Sequence, residues 1–535
     1  MERTESPNNI PNFDLVFIGA GISASYTLLN LLESLSTAER SAPVQIAVIE
    51  KMDEFWCGVP YGKISGYNPL LITSLREFIP QEAERSHFKA WLSANKQMLH
   101  TSAENSGGVL SSQWVQHNKA QIEANEWDDL FVPRFLFGTY IQQYLETEIA
   151  SAQEAGMAVV TRINGTVLKI SGSQEAGFRL GGESGPDQSE FSVAASKIVL
   201  SIGSPPNIGF KGVDPNHSQY VTDVYEIGLD KSLQKIKDGL AQIENVKNRN
   251  LVFVGSNAST LDVLYALNNH PEISSLVSSY TVLSPNGAFP HRITGNAPLH
   301  NYVPTRLQSM LSTDHNKAAD ILTAIEGDVA ECLQNGINIS DVFPIISKVM
   351  IHVVDRLSYD EQYLFVIKYA VEIGKLQRRA GSEYLNVVGQ LVDQGKLKYV
   401  KGRFTGIETN AAGELLCKYI PTAENGEQVL SQSPGVVVCC AGFQTVSNSR
   451  SVLINNLVAD GLARVNDSNR GFVMTEAYEV SPGIYQMGPL VAGNLVGSFR
   501  VWHAESCSRI IQMSKSLGKI LAMQLHDSQM VSPGN

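Results

Sequence analysis

The stretch Phe13-Asp14-Leu15-Val16-Phe17-Ile18-Gly19-Ala20-Gly21-Ile22-Ser23-Ala24 decides the fold. Phe13 to Ile18 reads as a buried strand. Ser23 to Leu35 reads as a helix, with apolar residues at Leu28, Leu29, Leu31, Leu32 and Leu35. Between them lies G-x-G-x-x-A in the strand-to-helix context that the motif needs. Gly19 permits the tight turn, Gly21 lets backbone approach a pyrophosphate, and the small Ala24 allows close helix–strand packing. Ile22 and Ser23 open the helix, whose N-terminus turns the positive end of its dipole toward phosphate. A second strand, Val44 to Ile49, closes on Glu50 and Lys51; Glu50 is placed for a ribose hydroxyl, and Lys51 is counted in the same site. Glu50 lies 31 residues beyond Gly19, more than the usual ~20–30, and the polar 34–43 loop absorbs the excess. A chance glycine turn is the bland alternative. Strand, helix and terminal acid together favour a nucleotide.

The same unit starts again 236 residues after Gly19. Leu251 to Val254 is a strand, Gly255-Ser256-Asn257-Ala258-Ser259 a degenerate turn, and a helix begins near Thr260. Asn257 replaces the middle glycine, as the residue that next best tolerates a left-handed conformation. Ser259 is small and can meet phosphate. The following strand ends Ser284-Pro285-Asn286, without an acid, and His291 and Arg292 are close by. That pattern leans toward a 2′-phosphate and NADPH; a solvated loop accounts for His291-Arg292 equally well. Two more strands end in glycine turns, Ser201-Ile202-Gly203-Ser204 and Cys440-Ala441-Gly442-Phe443. The economical fold is α/β with two Rossmann-like dinucleotide-binding domains. Residues 157–200 read as an antiparallel meander and 316–395 as a helical insertion, either a lid or a dimer surface.

A chain of 535 residues accommodates two or three domains. With 43% hydrophobic and 18% charged residues it is globular. Asp and Glu total 53 against 41 Lys and Arg, a net charge of −12, which argues against nucleic acid as a partner. No apolar run reaches the ~18–20 residues of a membrane helix, and the opening residues lack a signal-peptide pattern; a soluble, cytoplasmic protein is expected. The six cysteines show no C-x-x-C spacing, so buried free thiols are expected, with no metal site and no redox dithiol. G-x-S-x-G, H-E-x-x-H and P-loop motifs are absent.

The order of these turns is similar to that of the flavoproteins with two dinucleotide-binding domains. Within that group the chain resembles the FAD/NAD(P)-binding protein family. Phe55-Trp56-Cys57-Gly58-Val59-Pro60-Tyr61-Gly62 resembles its G-x-P-Y/F-G stretch, and Asn68 to Thr73 its "hLLN" segment. Val132 to Tyr140 resembles its P-R-x-x-x-G-x-Y, and Pro285 to Pro290 its R-x-G-x-x-P, with Pro285 where Arg is usual. A more distant resemblance reaches the N-hydroxylating flavin monooxygenases, from whose glycine-rich NADPH turn Asn257 departs.

The resemblance implies FAD in the first domain and NADPH in the second. It divides the chain into 1–235 (FAD-binding, first part), 236–435 (NAD(P)H-binding, with the insertion) and 436–535 (FAD-binding, C-terminal part). It implies a monooxygenase that N-hydroxylates a small amine or amino acid with molecular oxygen through a C4a-hydroperoxyflavin. The alternatives are an FAD oxidoreductase or oxidase without oxygen insertion, and a non-catalytic flavin-binding sensor. Trp56 and Tyr61 are candidates to wall the flavin, though core packing suits each. Arg134 is a candidate for pyrophosphate or a substrate carboxylate. Gly488, Gly493 and Asn494 are placed near the flavin ring, and His503 is a weak acid/base candidate. No membrane partner is implied, and a homo-oligomer stays open.

Overall fold

The computed structural model describes residues 10–530 apart from 37–40, 106–107, 186, 211–212, 215–216, 296–298, 300, 412 and 498. The polar start of the chain and part of the 34–43 loop thus lie outside the described residues.

Strand β1 (Asn12–Ile18) runs into helix α1 (Ile22–Leu35) and returns as β2 (Val44–Glu50), parallel to β1. Leu15, Val16 and Phe17 are fully buried, because a parallel strand is covered on both faces. Strand β3 (Ala158–Asn164) continues the parallel sheet beside β2, so the expected meander starts later. A parallel pair needs a crossover, and α2 (Arg134–Glu154) supplies it. Only β4 (Thr166–Ser173), β5 (Gly177–Ser184) and the first part of β6 (Ser189–Leu200) are antiparallel. The end of β6 lies parallel between β1 and a late strand, Ile484–Gln486.

The second sheet holds β7 (Tyr220–Val221), β8 (Asn250–Val254), β9 (Ser279–Ser284), β10 (Leu397–Thr409), β11 (Leu415–Pro421) and β12 (Val436–Cys439). Their order is β11-β10-β9-β8-β12-β7, with Gln428–Val429 on the outer edge. Two strands cross the expected divisions at 235 and 435. Val437 of β12 lies opposite both Tyr220 of β7 and Val252 of β8, so both outlying strands belong to the second sheet. The reason is that a short apolar strand fits either parallel sheet equally well. Only its long-range neighbour assigns it.

Helix α3 (Ala258–Asn269) follows β8. The insertion is built on α4 (Ala318–Gln334) and α5 (Ile339–Asp355), around a core that includes Ile325, Ile346, Val353, Phe365 and Ile373. It ends before the expected residue 395. Helix α6 (Ser382–Asp393) leaves it and packs on α3, with the Tyr265 and Tyr384 rings 5.2 Å apart. The last helix, α7 (Cys507–Met530), lies along α1. All six cysteines are buried and free. Among the described residues no helix is long and apolar enough to cross a membrane.

Two buried polar contacts tie the sheets' surroundings together. Arg134, at the start of α2, donates to Asp262 of α3 at 2.9 Å, and the Tyr225 hydroxyl donates to the same carboxylate oxygen at 2.6 Å. The Tyr384 hydroxyl donates to the Leu70 carbonyl and accepts from the Leu70 amide, each at 2.8 Å. The Asp262 side chain is only 3% exposed, so its removal strands a guanidinium away from water. Asp262→Ala is therefore expected to lower the unfolding free energy by about 3–5 kcal/mol, read from chemical denaturation; an unchanged midpoint is the contrary result.

Candidate dinucleotide-binding site

The two glycine turns are built alike. The Gly19 amide donates to Ile49 O at 2.8 Å, and the Ser201 amide to Ile18 O at 2.9 Å. In the second unit the Gly255 amide donates to Leu283 O at 2.9 Å and the Cys440 amide to Val254 O at 2.8 Å. At Gly19, φ is 92° and a Cβ would collide with the Ser201 carbonyl; at Gly255, φ is 115° and a Cβ would collide with that of Cys440. Each position needs glycine twice over, for conformation and for close approach.

Gly21 differs. It caps α1 with φ −82°, open to any residue, and a Cβ there would meet only the Gly58 Cα, at 3.6 Å. Gly58 faces it in turn, its own Cβ position 3.1 Å from the Gly21 Cα. Nothing in the polypeptide demands glycine at 21. The two bare backbones form a cradle that a side chain would fill. A third one joins it, since a Cβ at Gly488 would sit 2.6 Å from the Ser23 hydroxyl. The first amides of α1, at Ile22, Ser23 and Ala24, precede the first intrahelical bond, Ser25 N to Gly21 O, and carry the positive end of the helix. Buried Ala24 lets the helix lie against the sheet. These residues fit a pyrophosphate.

Glu50 ends β2 beneath this turn. One carboxylate oxygen accepts from the Ala20 amide at 2.7 Å and the other from the Met52 amide at 3.0 Å. The carboxylate is thus oriented, with lone pairs left for a ribose hydroxyl. Lys51 is exposed beside it. Gly203 and Gly442 end their strands with open space where a Cβ would stand.

The second turn fits a dinucleotide less closely. Asn257 stands where Gly21 stands in the first, and caps α3 without a side-chain hydrogen bond. Its φ is −110°, so the tolerance of Asn for a left-handed backbone does not explain it. Unlike Gly21, this position carries a side chain, next to the first amides of α3 at Ala258 and Ser259. Arg292 donates to Asn386 Oδ1 at 2.6 Å and to Ser382 O at 3.3 Å, and among the described residues it pairs with no carboxylate.

Several other candidates are engaged elsewhere. Trp56 is wholly buried in the core, its indole N–H donating to Glu146, because the segment turns the ring inward at φ 82°. Tyr61 packs edge-on against Phe137, with centroids 5.1 Å apart. The Arg134 cation is held by Asp262, so the phosphate or carboxylate role read from its motif falls to a structural one. Asn494 is a buried bracket: its amide donates to Phe472 O and Val491 O, and its oxygen accepts from the Met474 amide. Gly493 donates to Val501 O at 2.7 Å, closing the hairpin before Trp502. Gly58 as the partner of Gly21 is not apparent from local sequence, although the G-V-P-Y-G run carries the signal.

Among the described residues the His503 side chain makes no hydrogen bond. Burial pushes its imidazole down to about 4, helped by the cations of Arg509 and Arg470. It is neutral near pH 7 and can accept a proton only in strong acid, so it suits an acceptor and not an acid.

Fold and turns together define a protein with two dinucleotide-binding domains. Residues 16–205 match the family described as FAD-NAD(P)-binding. Uncharacterized proteins of Mycobacterium tuberculosis and Mycobacterium bovis are 31% identical over 520 residues, covering 96% of this chain and 96% of their own. The chain belongs to this FAD-NAD(P)-binding family. The FAD-bound cadaverine monooxygenase DfoA of Erwinia amylovora has a similar fold, with TM-score 0.53 and 12% identity over 96% of this chain and 95% of that one. Ornithine hydroxylase PvdA of Pseudomonas aeruginosa is similar at TM-score 0.50 and 12% identity, over 96% of this chain and 99% of that one.

Gly21→Val is expected to yield a folded protein that purifies without flavin, since its side chain occupies the cradle and collides with little else; visible absorbance beside a thermal melt checks both halves. His503 binds a proton in the unfolded chain from about pH 6.5 down, and in the folded protein only near 4. Stability therefore falls as pH drops through that interval. His503→Gln should flatten this slope, and identical slopes in pH-dependent denaturation would count against the burial.

Proposed function

We propose that this protein is an FAD-dependent, NADPH-using monooxygenase that N-hydroxylates a small amine or amino acid. The observation that carries the reading is the bare-backbone cradle of Gly21, Gly58 and Gly488 at the start of α1, within a chain that carries a second dinucleotide turn. The fold likeness to a cadaverine monooxygenase and an ornithine hydroxylase over nearly the whole chain supports it. The chemistry such a coenzyme supplies is hydride acceptance and oxygen activation.

The chain's own part is placement. The first amides of α1 hold the diphosphate, and Glu50 holds the ribose. The turn of α3, with Arg292 beyond it, receives the nicotinamide nucleotide, its 2′-phosphate unopposed by any acid at the end of β9. In the Gly488–Val491 turn the Gly488 and Leu490 amides are the ones that would face charge on the flavin ring, since Pro489 has no N–H and the Val491 amide is bonded to Gly488 O. Behind these turns, Trp56, Tyr61 and Phe137 pack as part of the core. No side-chain nucleophile is needed.

Purified protein is expected to be yellow and to consume oxygen with NADPH when an amine substrate is added, giving a product heavier by one oxygen atom. Flavin with NADPH oxidation but only peroxide and no oxygenated product would favour the oxidase reading. Flavin with no NADPH turnover would favour a sensor.

A further inference from the structure

Away from both dinucleotide turns the molecule has an open cavity of about 530 Å³. Three stretches wall it. One is Tyr67 and Asn68 together with Thr101 and Ser102 of the helix Lys96–Asn105. The second is the helix Leu229–Ala241, and the third is the turn from His270 to Ile273 that follows α3. Helix α3 separates this cavity from the second dinucleotide turn. Asn257 caps one end of its 12 residues and His270 the other, about 18 Å apart.

Tyr67, Asn68 and Ser102 also line a smaller cavity of about 20 Å³, which has room for one water-sized group. Its other walls are mostly apolar, with Leu70, Leu99, Val115 and Phe135 beside Trp114. Trp114 is buried, and its indole N–H finds no acceptor among the described residues. Two other buried indoles have acceptors: Trp56 donates to Glu146, and Trp127 to the Ser93 hydroxyl at 3.0 Å. A stranded donor in a cavity wall is destabilising unless an occupant accepts its hydrogen bond.

The polar groups around the two cavities are ordered by one another. Asn269 donates to the Ser111 hydroxyl at 3.3 Å, and Ser111 to Asn68 Oδ1 at 3.1 Å. Asn68 Nδ2 lies 3.4 Å from His270 Nε2, and His270 Nδ1 lies 3.4 Å from Glu272 Oε1. The carboxylate favours the tautomer with its proton on Nδ1, so Nε2 accepts from Asn68. Charge in the larger cavity is balanced. Glu272 faces the imidazole, and Asp230 shares one helix face with Lys237. A ligand of either net sign therefore meets a like charge. The walls offer hydrogen-bonding groups of both senses instead: hydroxyls at Tyr67, Thr101 and Ser102, carboxylates at Asp230 and Glu272, and the Lys237 ammonium. The Tyr67 ring is 41% exposed and braced edge-on by Phe135, with centroids 5.2 Å apart, which gives a fixed apolar face for C–H groups.

We infer that this cavity binds a neutral sugar, with the Tyr67 ring against its C–H face and one hydroxyl oxygen entering the smaller cavity to accept from the Trp114 indole. The carboxylates and the lysine take the remaining hydroxyls. The site goes beyond the monooxygenase reading and does not rest on it, since neither dinucleotide turn contributes a wall. Because the walls come from distant parts of the chain, a bound sugar also stabilises the folded protein.

The test keeps one ring and varies its charge: glucose, glucosamine and glucuronate are titrated into the full-length protein by calorimetry. Glucose should bind saturably in the millimolar range, at least about tenfold more tightly than either charged analogue, and should raise Tm. Trp114→Phe, which keeps an aromatic ring and removes the donor, should cost glucose about fivefold in affinity, and Asp230→Asn about tenfold. Asp230 is exposed, so its variant reports on the site even where Trp114→Phe fails to fold. No saturable glucose binding overturns the inference. Equal or tighter binding of glucosamine overturns it and assigns the cavity to a cation, and the same result with glucuronate assigns it to an anion. Unchanged glucose affinity in Asp230→Asn overturns it as well. A colourless protein that binds glucose as expected refutes the flavin reading alone.

Discussion

Backbone must come within contact distance of backbone at the end of β1, and the rest of the first domain is arranged around that closeness. Gly19 rests on the Ser201 carbonyl, so β1 and β6 stay in register as they turn away from each other. The turn then delivers α1 with its first amides unpaired and its cap facing Gly58. A side chain at Gly19 would separate the strands, whereas one at Gly21 would fill only the cradle. The first glycine serves the fold and the second leaves room for something that is not protein.

The repeat of this turn in the second domain isolates what changes between them. Gly255 and Cys440 reproduce the contact of Gly19 with Ser201 almost bond for bond. The cap position does not follow: Asn257 brings an amide where Gly21 leaves bare backbone, and no acid closes β9 as Glu50 closes β2. One architecture thus presents two faces to nucleotides, one of backbone alone and one of backbone with side chains. The buried Arg134–Asp262–Tyr225 contact, with Tyr384 on Leu70, holds these faces in one molecule.

Legibility in the sequence followed the range of the forces involved. The strand, turn and helix at 13–35 were readable because a run of apolar residues, two glycines and a helical repeat lie within a few turns of chain. The strand Val436–Cys439 was readable as a strand but not as a member of the second sheet, since that depends on Leu251 to Val254 far upstream. Trp56 and Tyr61 lay in the right segment, yet the way they point is set by Glu146 and Phe137 on α2. Arg134 shows the same limit. Its motif marked a cation for pyrophosphate or a substrate carboxylate, and only the fold supplied Asp262 as the partner.

Local sequence by itself determined the two strand–glycine–helix units, the acid at the end of β2 and the presence of a helical insertion, because each rests on contacts between near neighbours in the chain. The tertiary structure alone decided which sheet each late strand joins, that Gly58 and Gly488 complete the cradle of Gly21, and that Arg470 and Arg509 meet at Trp502. These residues are separated by tens to hundreds of positions, and no local energy term distinguishes a neighbour across the core from one across the solvent until the chain has closed.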